Sequence, residues 1–313
     1  MKVVIIGGGA MGSLLAAKLT PHAEVWLVSG WRAHVEAIRR DGLRLTETDG
    51  STRTLTVRVV TPPIEGGGDA DLALIAVKAR QTEEAAHRAA ALLKPDGLAL
   101  SLQNGLGNVE RIAAVLGTER AVQGVTAHGA TMVAPGHVRH AGAGPTHMAT
   151  RPAIARQMEG VRALFEAAGF ETRLSGNLDS VVWGKLVVNA GINALTAILG
   201  VPNGALVERA GARQAMEAAV VEAAAVARAA GIALPYEDPV RRAREVARAT
   251  ASNRSSMWAD VLRGVPTEID AINGAVVRAG RRFGVPAPVN QMLVWLVQAV
   301  EAGYSVSSAK KSG

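Results

Sequence analysis

The chain has 313 residues, which is enough for a sizeable core and is more typical of two domains than of one. Hydrophobic residues make up 49% of it and charged residues 19%, which excludes a disordered or fibrous protein, and the absence of cysteine excludes disulfides, thiolate nucleophiles and cysteine-ligated metals. The formal net charge of +7 favours anionic partners, among them small phosphates and carboxylates.

Short apolar runs alternate with helical patterns in the first part of the chain. Near-continuous apolar strands separated by helices are typical of a parallel sheet covered on both faces, so we expect a doubly wound α/β fold. The predicted strands are KVVIIG (2–7), EVWLV (24–28), TLTVRVV (54–60), DLALIAV (71–77) and LALSL (98–102), and the predicted helices are AMGSLLAAKL (10–19), RAHVEAIRR (32–40), QTEEAAHRAAALL (81–93) and NVERIAAVL (108–116).

The pattern changes in the second half of the chain. Further short strands are predicted around 121–129 and 136–142, and then a helix over 151–170 that Gly169 ends. From about Asp179 strand signals nearly vanish and long Ala-rich helical stretches follow. We therefore place a boundary near Gly176, between an α/β domain (1–176) and an all-helical domain (177–313).

A glycine-rich turn follows the first predicted strand. VVIIGGGAMGSLL contains Gly7-x-Gly9-x-x-Gly12 between an apolar strand and an apolar helix, the context of a Rossmann-type dinucleotide site. Gly7 makes the tight turn, Gly9 lets a pyrophosphate approach, and Gly12 lets the helix pack against the strand. The first helical residues, Ala10 and Met11, offer free N–H groups to the phosphates.

The end of the second strand bears on the choice of cofactor. NAD sites usually place an acid here for the ribose 2′-hydroxyl, whereas an arginine favours the 2′-phosphate of NADP. No Asp or Glu occurs from Val25 to His34, and Arg32 is close by, so NADP(H) is predicted. The competing interpretation is that Arg32 is only a solvated residue at the start of a helix.

A buried helix over 183–200, WGKLVVNAGINALTAILG, carries a lysine and two amides. Lys185, Asn189 and Asn193 stand at i, i+4 and i+8 and share one face, with Thr196 near it. A buried ammonium is costly unless it is paired or its pKa falls, and both conditions suit a catalytic lysine. On the helix alone, an equal alternative is that Lys185 reaches solvent while the amides bond to neighbouring backbone.

Other polar and aromatic residues are interpreted more simply. His137 and His140 stand in GHVRH, but no histidine spacing matches HExxH, so we expect solvated residues and no metal site. Trp183, Trp258 and Trp295 are spread along the helical domain and are interpreted as core residues.

Nucleic acid and membrane are disfavoured as partners. The densest basic run, RRAREVARAT from Arg241, contains Glu245 and no aromatic residue, so we interpret it as a solvated helix face. No uncharged apolar run reaches about 18 residues, and the first one meets glycines too early for a signal peptide. We therefore expect a cytoplasmic protein.

Several separate motifs, in order, resemble the ketopantoate reductase (2-dehydropantoate 2-reductase) family over nearly the whole chain. The second strand departs from the family pattern Val-x-Leu-x-x-Arg-Gly, because one extra residue places Trp31 or Arg32 where the arginine is expected. The matching stretches are IGGGAMG, VKARQT, QNGLGN, PGHVRHAG, WGKLVVNAGINALTAILGVPNG, NRSSMWADVLRGVPTEIDAINGAVV and GVPAPVN.

The resemblance implies roles for individual residues. NADPH would bind the first domain, and the substrate would bind in a cleft between the domains. Lys185 matches the catalytic lysine, and Glu268 matches the acid that binds substrate and orients the site. Lys78 and Asn104 match residues near the ribose and nicotinamide of the cofactor. The groups that match holders of the substrate carboxylate and hydroxyl are Asn189, Asn193, Asn253 and Ser256, and Asn203 matches a further asparagine of the family.

The implied activity is reduction of 2-dehydropantoate to pantoate, in pantothenate and coenzyme A biosynthesis. Hydride would reach the keto carbon of the 2-keto acid while Lys185 stabilises the oxygen and supplies a proton. The Ala-rich helical domain suggests a homodimer. Two alternatives stay open: a related NAD(P)H-dependent reductase of another 2-keto acid, and a non-enzymatic NADP-sensing protein, against which Lys185 and Glu268 together argue.

Overall fold

The computed structural model describes residues 1–62, 64 and 68–309. It divides into an α/β unit, Met1–Gln103 with Asn108–Leu178, and a helical unit, Asn104–Gly107 with Asp179–Gly313. The α/β unit thus ends at Leu178 rather than Gly176. The sequence analysis also placed all of 1–176 in the first domain, whereas Asn104–Gly107 pack with the helical unit.

The α/β unit is built on an eight-stranded sheet. Its strands are β1 (Lys2–Ile6), β2 (Glu24–Val28), β5 (Arg58–Val60), β6 (Ala70–Ile75), β7 (Leu93–Ser101), β8 (Ala121–Thr126), β11 (Thr146–Ala149) and β12 (Thr172–Ser175). They lie in the order β12-β11-β8-β7-β6-β1-β2-β5, and they pair in parallel except where β11 pairs antiparallel with β8. The strand order reverses beside β1, so the carboxyl end of β1 is the point where doubly wound sheets bind ligands.

A second, four-stranded sheet completes the β-structure of this unit, in the order β4-β3-β10-β9. These strands are β3 (Leu43–Thr46), β4 (Thr52–Leu55), β9 (Gly129–Ala134) and β10 (His137–Gly142). The helices of the unit are α1 (Ala10–Leu19), α2 (Arg32–Asp41), α3 (Thr82–Leu92), α4 (Asn108–Leu116) and α5 (Ala155–Ala167).

The first strand shows why its sequence is apolar at successive positions. Val3 and Ile5 belong to one apolar cluster, whereas Val4 and Ile6 belong to another, and all four are at most 1% exposed. Both faces of the strand are covered, so every position must be apolar, as in other parallel sheets. This burial fixes the strand that carries the glycine-rich turn.

The helical unit is arranged around its first helix. This helix, α6, packs against all six of the helices that follow it. Among the described residues it is the one helix long and apolar enough to cross a membrane, yet 78% of its most apolar window is buried, as in core helices of soluble proteins. The helices are α6 (Asp179–Leu199), α7 (Ala205–Glu208), α8 (Ala210–Ala229), α9 (Pro239–Ala249), α10 (Ser256–Leu262), α11 (Asn273–Phe283) and α12 (Pro288–Ala309).

One predicted strand is in fact two. The run TLTVRVV was expected as a single strand, but Thr52–Leu55 pairs antiparallel with β3 and Arg58–Val60 pairs in parallel with β2. The chain passes from one sheet to the other between them. The alternation of apolar residues continues through the crossing, with Val57 and Val59 both 6% exposed, so the pattern does not reveal the change of sheet.

A buried histidine ties three parts of the α/β unit together. The His34 side chain, at the start of α2, accepts the Gly136 N–H at Nδ1 (2.9 Å) and lies 3.0 Å from Ser13 Oγ at Nε2. A backbone N–H can only donate, so the ring proton of neutral His34 is on Nε2 and is donated to Ser13. Burial lowers the pKa of His34 to about 4.

A second buried histidine lies beside the four-stranded sheet. His128 Nδ1 is 2.9 Å from His140 Nε2, and His140 Nδ1 is 3.4 Å from Glu47 Oε2, whose other oxygen is 2.9 Å from Lys18 Nζ. The pKa of His128 is lowered to about 4, mainly by burial and to a smaller extent by electrostatic repulsion from His140 and Lys18. His140 is only 5% exposed, so the expectation that it is solvated was wrong.

These two rings predict that mild acid destabilises the protein. Between about pH 6.5 and pH 4 the unfolded chain binds protons at His34 and His128 that the folded chain does not, so stability falls as pH falls. We expect the two rings together to remove about 2 kcal/mol of unfolding free energy between pH 7.5 and 5.0, after allowance for screening. Urea unfolding at the two pH values measures this difference.

Variants assign that difference to particular rings. The His128→Gln variant should be less stable than the parent chain at pH 7.5. Its unfolding free energy should, however, fall by less than that of the parent chain when the pH is lowered to 5.0. His87→Gln, at an exposed position of α3, is the matched control and should keep the full pH dependence. An equal pH dependence in all three proteins would contradict the role given to the buried rings.

Candidate functional site

The glycine-rich turn joins β1 to α1, and each of its three glycines meets a different constraint. Gly7 has a φ of +121°, and a Cβ there would lie 2.7 Å from the carbonyl carbon of Ala76. A Cβ on Gly12 would lie 1.8 Å from the Gly7 carbonyl oxygen. A Cβ on Gly9 would meet nothing within 4 Å, so the turn is open at this position. The turn is therefore tight on its inner side and accessible on its outer side.

The start of α1 suits an anion. Gly9 is the N-cap residue, it supplies no side-chain cap, and the first turn contains no acidic residue. Ala10 and Met11 are partly exposed. The N–H groups of a helix start point outward and carry partial positive charge, so this turn fits the pyrophosphate of a dinucleotide.

An exposed tryptophan marks the end of β2. Trp31 is 40% exposed and stacks on His34, with ring centroids 5.0 Å apart and planes within 13°. Arg32, the first residue of α2, is exposed, and no hydrogen bond or ion pair of its side chain is found within the described part of the chain. Both side chains are thus accessible at the strand end where the adenosine ribose of a dinucleotide lies in this fold.

The ends of β6 and β7 are held together by a glutamine that the sequence analysis overlooked. Gln103 Nε2 donates to the Val77 carbonyl (2.7 Å) and to Thr82 Oγ1 (2.9 Å). In the sequence between these two partners, Lys78 is the N-cap residue of a short 3-10 turn, Ala79–Gln81. Its side chain is partly buried. Gln103 directly precedes Asn104 in QNGLGN, and its position just after a buried strand was the available signal.

The segment after Gln103 brings Asn104 to the helical unit. The Leu106 N–H donates to the Ala271 carbonyl (3.0 Å). Gly105 has a φ of +86°, and a Cβ there would lie 2.3 Å from the same oxygen. Only glycine allows this approach. Asn104 is therefore positioned next to the turn that contains Glu268, not simply at the end of a strand.

The polar face of α6 becomes more buried along the helix. Lys185 and Asn189 are partly exposed, Asn193 is 7% exposed and Thr196 is fully buried. Thr196 Oγ1 lies 2.7 Å from Ser255 Oγ, which caps α10 by accepting the Trp258 N–H (3.0 Å). Thr196 thus fastens α6 to α10, while Lys185 and Asn189 lie on the more accessible part of the face.

Lys185 and Glu268 act on each other electrostatically. Burial lowers the pKa of the Lys185 ammonium to about 8, and the negative charge of Glu268 opposes that decrease. Glu268 is 8% exposed, and its carbonyl accepts the Ala271 N–H (3.0 Å), which fixes the turn before α11. A lysine with a pKa near 8 is a far better proton donor at neutral pH than an ordinary lysine.

The remaining candidate residues are Asn253 in the loop before α10, Ser256 at the first position of α10, and Asn203 in the loop between α6 and α7. Asn253 and Ser256 are exposed and so accessible to a ligand. Asn203 is 8% exposed, its Nδ2 donates to Thr250 Oγ1 (2.8 Å), and its N–H donates to the Asn253 carbonyl (3.1 Å). Asn203 therefore holds the loop that carries Asn253.

Comparison with known proteins places this architecture in a family. Family models described as ketopantoate reductase PanE/ApbA and ketopantoate reductase PanE/ApbA C terminal match residues 3–153 and 177–301. A 2-dehydropantoate 2-reductase of Halobacterium salinarum is 40% identical over 303 residues, covering 96% of this chain and 99% of the relative. One from Archaeoglobus fulgidus is 35% identical over 96% of this chain and 98% of the relative.

Solved structures show the same likeness. A PanE/ApbA family ketopantoate reductase from Ralstonia eutropha has a TM-score of 0.88 and 35% identity, covering 97% of this chain and all of that one. D-mandelate dehydrogenase with NADH and anilino(oxo)acetate has a TM-score of 0.90 and 28% identity over the same shares.

The glycine geometry predicts opposite effects for two substitutions. Gly9→Asp should keep the fold, because position 9 is open and aspartate is a good N-cap, but should abolish dinucleotide binding through charge repulsion. Gly12→Ala should lower the free energy of unfolding by several kcal/mol, because the new Cβ would overlap the Gly7 carbonyl oxygen. Thermal unfolding and NADPH fluorescence titration measure the two effects. Tight NADPH binding by Gly9→Asp would contradict the placement of the pyrophosphate.

Proposed function

The chain belongs to the ketopantoate reductase family, and we propose that it reduces 2-dehydropantoate to pantoate with NADPH, in pantothenate and coenzyme A biosynthesis. The observation that carries the proposal is the pairing of Lys185 with Glu268. Burial lowers the pKa of Lys185 to about 8 while the Glu268 charge holds it up, which suits a proton donor at neutral pH.

Lys185 does the acid chemistry in this proposal. A nicotinamide dinucleotide would supply the hydride when bound, and the turn of Gly7, Gly9 and Gly12 would hold its pyrophosphate. As the keto carbon is reduced, negative charge develops on its oxygen, and the Lys185 ammonium stabilises that charge and then transfers a proton to it. Lys185 is left neutral and regains its proton from water.

Glu268 tunes and orients this donor. Without a nearby negative charge, burial alone would lower the pKa of Lys185 further. The turn that fixes Glu268 also meets the Asn104 segment through Ala271. Glu268 can therefore accept a hydrogen bond from the substrate hydroxyl while it keeps Lys185 protonated.

Amides and a hydroxyl recognise the substrate. Asn189 and Asn193 share the face of α6 with Lys185. Asn253, in the loop before α10, and Ser256, the first residue of α10, are both exposed. Amides donate to a carboxylate without adding charge, so they leave the balance between Lys185 and Glu268 undisturbed. Asn104 completes this set.

The second strand supports a preference for NADPH. No acidic residue occurs from Val25 to His34, so nothing in this stretch repels a 2′-phosphate, and Arg32 is exposed at the start of α2. Lys78 adds a further cation at the end of β6.

A second candidate is a reductase of another 2-keto acid. D-mandelate dehydrogenase, described with NADH, shares the fold with a TM-score of 0.90, so closely related architectures act with different substrates and cofactors. A purely cofactor-sensing protein would have no need for a low-pKa lysine beside a buried acid.

The direct test of function is NADPH oxidation with 2-dehydropantoate, with NADH and a panel of other 2-keto acids run in parallel. We expect rapid turnover with NADPH and 2-dehydropantoate. Arg32→Ala should weaken NADPH binding about tenfold and leave NADH binding unchanged, because the lost contact is to the 2′-phosphate. Equal use of NADH by the parent chain would contradict the cofactor proposal, and turnover with another keto acid alone would favour the second candidate.

The role of Lys185 predicts a specific kinetic defect. Lys185→Ala should lower kcat by about 10³-fold or more and leave the Kd for NADPH nearly unchanged, because it removes a group that acts on the reacting oxygen. Stopped-flow turnover and NADPH fluorescence measure the two quantities.

A pH profile separates acid catalysis from mere positioning. The activity of the parent chain should decline as the pH rises through about 8, where Lys185 loses its proton. Glu268→Gln removes the charge that raises this pKa, so the decline should begin at lower pH. An unshifted profile in Glu268→Gln would show that another group controls the decline.

A further inference from the structure

A buried amide joins the start of α11 to the middle of α6. Asn273, the first residue of α11, is fully buried, and its Nδ2 donates to the Ala190 carbonyl (2.9 Å) and to Asn290 Oδ1 (3.0 Å). Ala190 belongs to α6, where it lies five residues after Lys185. The Asn273 side chain thus holds the beginning of α11 against the helix that carries the proposed proton donor.

The direction of this amide is fixed by its partners. A backbone carbonyl can only accept, so Asn273 must present its NH2 group to Ala190. Asn290 of α12, also fully buried, donates in the same way to the Ala219 carbonyl of α8 (3.0 Å) and to Glu222 Oε2 (2.9 Å). Its oxygen is thereby left to accept from Asn273. The two amides form one directed chain from α8 to α6, and neither can turn over without losing hydrogen bonds.

The burial of this amide calls for a physical reason, because its surroundings are apolar. Ile272 and Val276, on either side of Asn273 in the sequence, belong to the apolar core of the helical unit. Apolar side chains that fill a buried polar site are often as stabilising as the polar groups they replace, since a buried hydrogen bond only substitutes for bonds to water. A directed hydrogen bond supplies something that apolar packing does not, which is one fixed position of α11 along α6.

That position is shared by the acid of the candidate site. Glu268 begins the turn that leads directly into α11, and its carbonyl accepts the Ile272 N–H (3.1 Å). The Ile269 carbonyl accepts the Gly274 N–H (3.0 Å), so the turn and the start of α11 form one hydrogen-bonded piece. A shift of Asn273 along α6 would therefore carry Glu268 with it.

We propose that Asn273 is a positioning residue, which sets the spacing between Glu268 and Lys185 through its hydrogen bond to the Ala190 carbonyl. The inference rests on the proposed roles of Lys185 and Glu268, and it adds a third side chain that acts on this pair only through the backbone. Coulombic attraction depends on distance, so the place of the turn on α6 determines how strongly Glu268 opposes the effect of burial on the pKa of Lys185.

The test is a pH titration of the Lys185 side chain, followed by NMR of the full chain, isotope-labelled at lysine Cε, without substrate or cofactor. The Lys185 signal is the one that disappears in Lys185→Ala. In the parent chain it should titrate near pH 8. Asn273→Ala removes the hydrogen bond that fixes the turn, so Glu268 is held less closely and Lys185 should titrate at least about 0.5 pH units lower.

A double-mutant cycle separates positioning through Glu268 from a general loosening of the core. In the Glu268→Gln background the charge is gone, so Asn273→Ala should leave the titration of Lys185 unchanged there. Val276→Ala is the matched control, because Val276 is also fully buried on α11 but has no polar side-chain atom. This control should lower stability without moving the titration of Lys185.

A second variant keeps the test decisive if Asn273→Ala does not fold. Asn273→Val fills the site with an apolar side chain and should give the same lowered titration of Lys185. A titration that these variants leave unchanged overturns the proposal, as does an equal shift with and without the Glu268 carboxylate. Because the titration needs no substrate, a parent chain that behaves as described but fails to reduce 2-dehydropantoate would overturn the proposed function alone.

Discussion

The cost of partly withdrawing a lysine ammonium from water is the constraint on which the candidate site depends. An isolated buried charge is far too unfavourable to persist, so the ammonium must lose its proton or acquire a negative neighbour. In this chain both effects operate, because burial lowers the pKa of Lys185 and Glu268 opposes the decrease. The balance between them sets the acidity of the lysine near the physiological range. Small rearrangements around Lys185 or Glu268 would therefore change the pKa of Lys185 more than they change its position.

The same constraint explains the composition of α6. A helix that carries a lysine at the centre of a bundle must be apolar elsewhere, because its other faces pack against six neighbouring helices. Thr196 and Ser255 then fasten the distal end of its polar face to α10. The membrane-like hydropathy of α6 thus follows from its central place in the core, and the polar residues stand out because everything around them is apolar.

The sequence analysis was most successful where local patterns and tertiary burial agree. The strand β1, the helix α1 and the doubly wound class follow from continuous apolar strands and amphipathic helices, which the two apolar clusters require. The sequence analysis failed where strand pairing or burial depends on residues that are far away in the sequence. The run at 54–60 shows no break where the chain changes sheets, and the burial of His140 depends on His128 and Glu47, which lie far away in the sequence.

The candidate site was predicted in a similar, uneven way. Lys185, Asn189 and Asn193 share a face by helical spacing alone, whereas Glu268 and Asn104 were assigned through the family resemblance. No periodicity could show that the Asn104 segment packs beside Ala271. Trp295 was expected in the core but is 57% exposed, because hydropathy reports that a tryptophan tends to be buried and does not report which side of its helix faces the core.

The assignment of Asn104–Gly107 to the helical unit has a consequence for biosynthesis. These four residues leave the ribosome long before Ala271, so their place in the helical unit stays unfilled while roughly 160 further residues are made. The Leu106 N–H and the Ala271 carbonyl are far apart in the sequence, so this contact forms late and slowly. Completion of the candidate site is therefore a late folding event, and a nascent chain can hold a finished glycine-rich turn well before Asn104 has its neighbours in the helical unit.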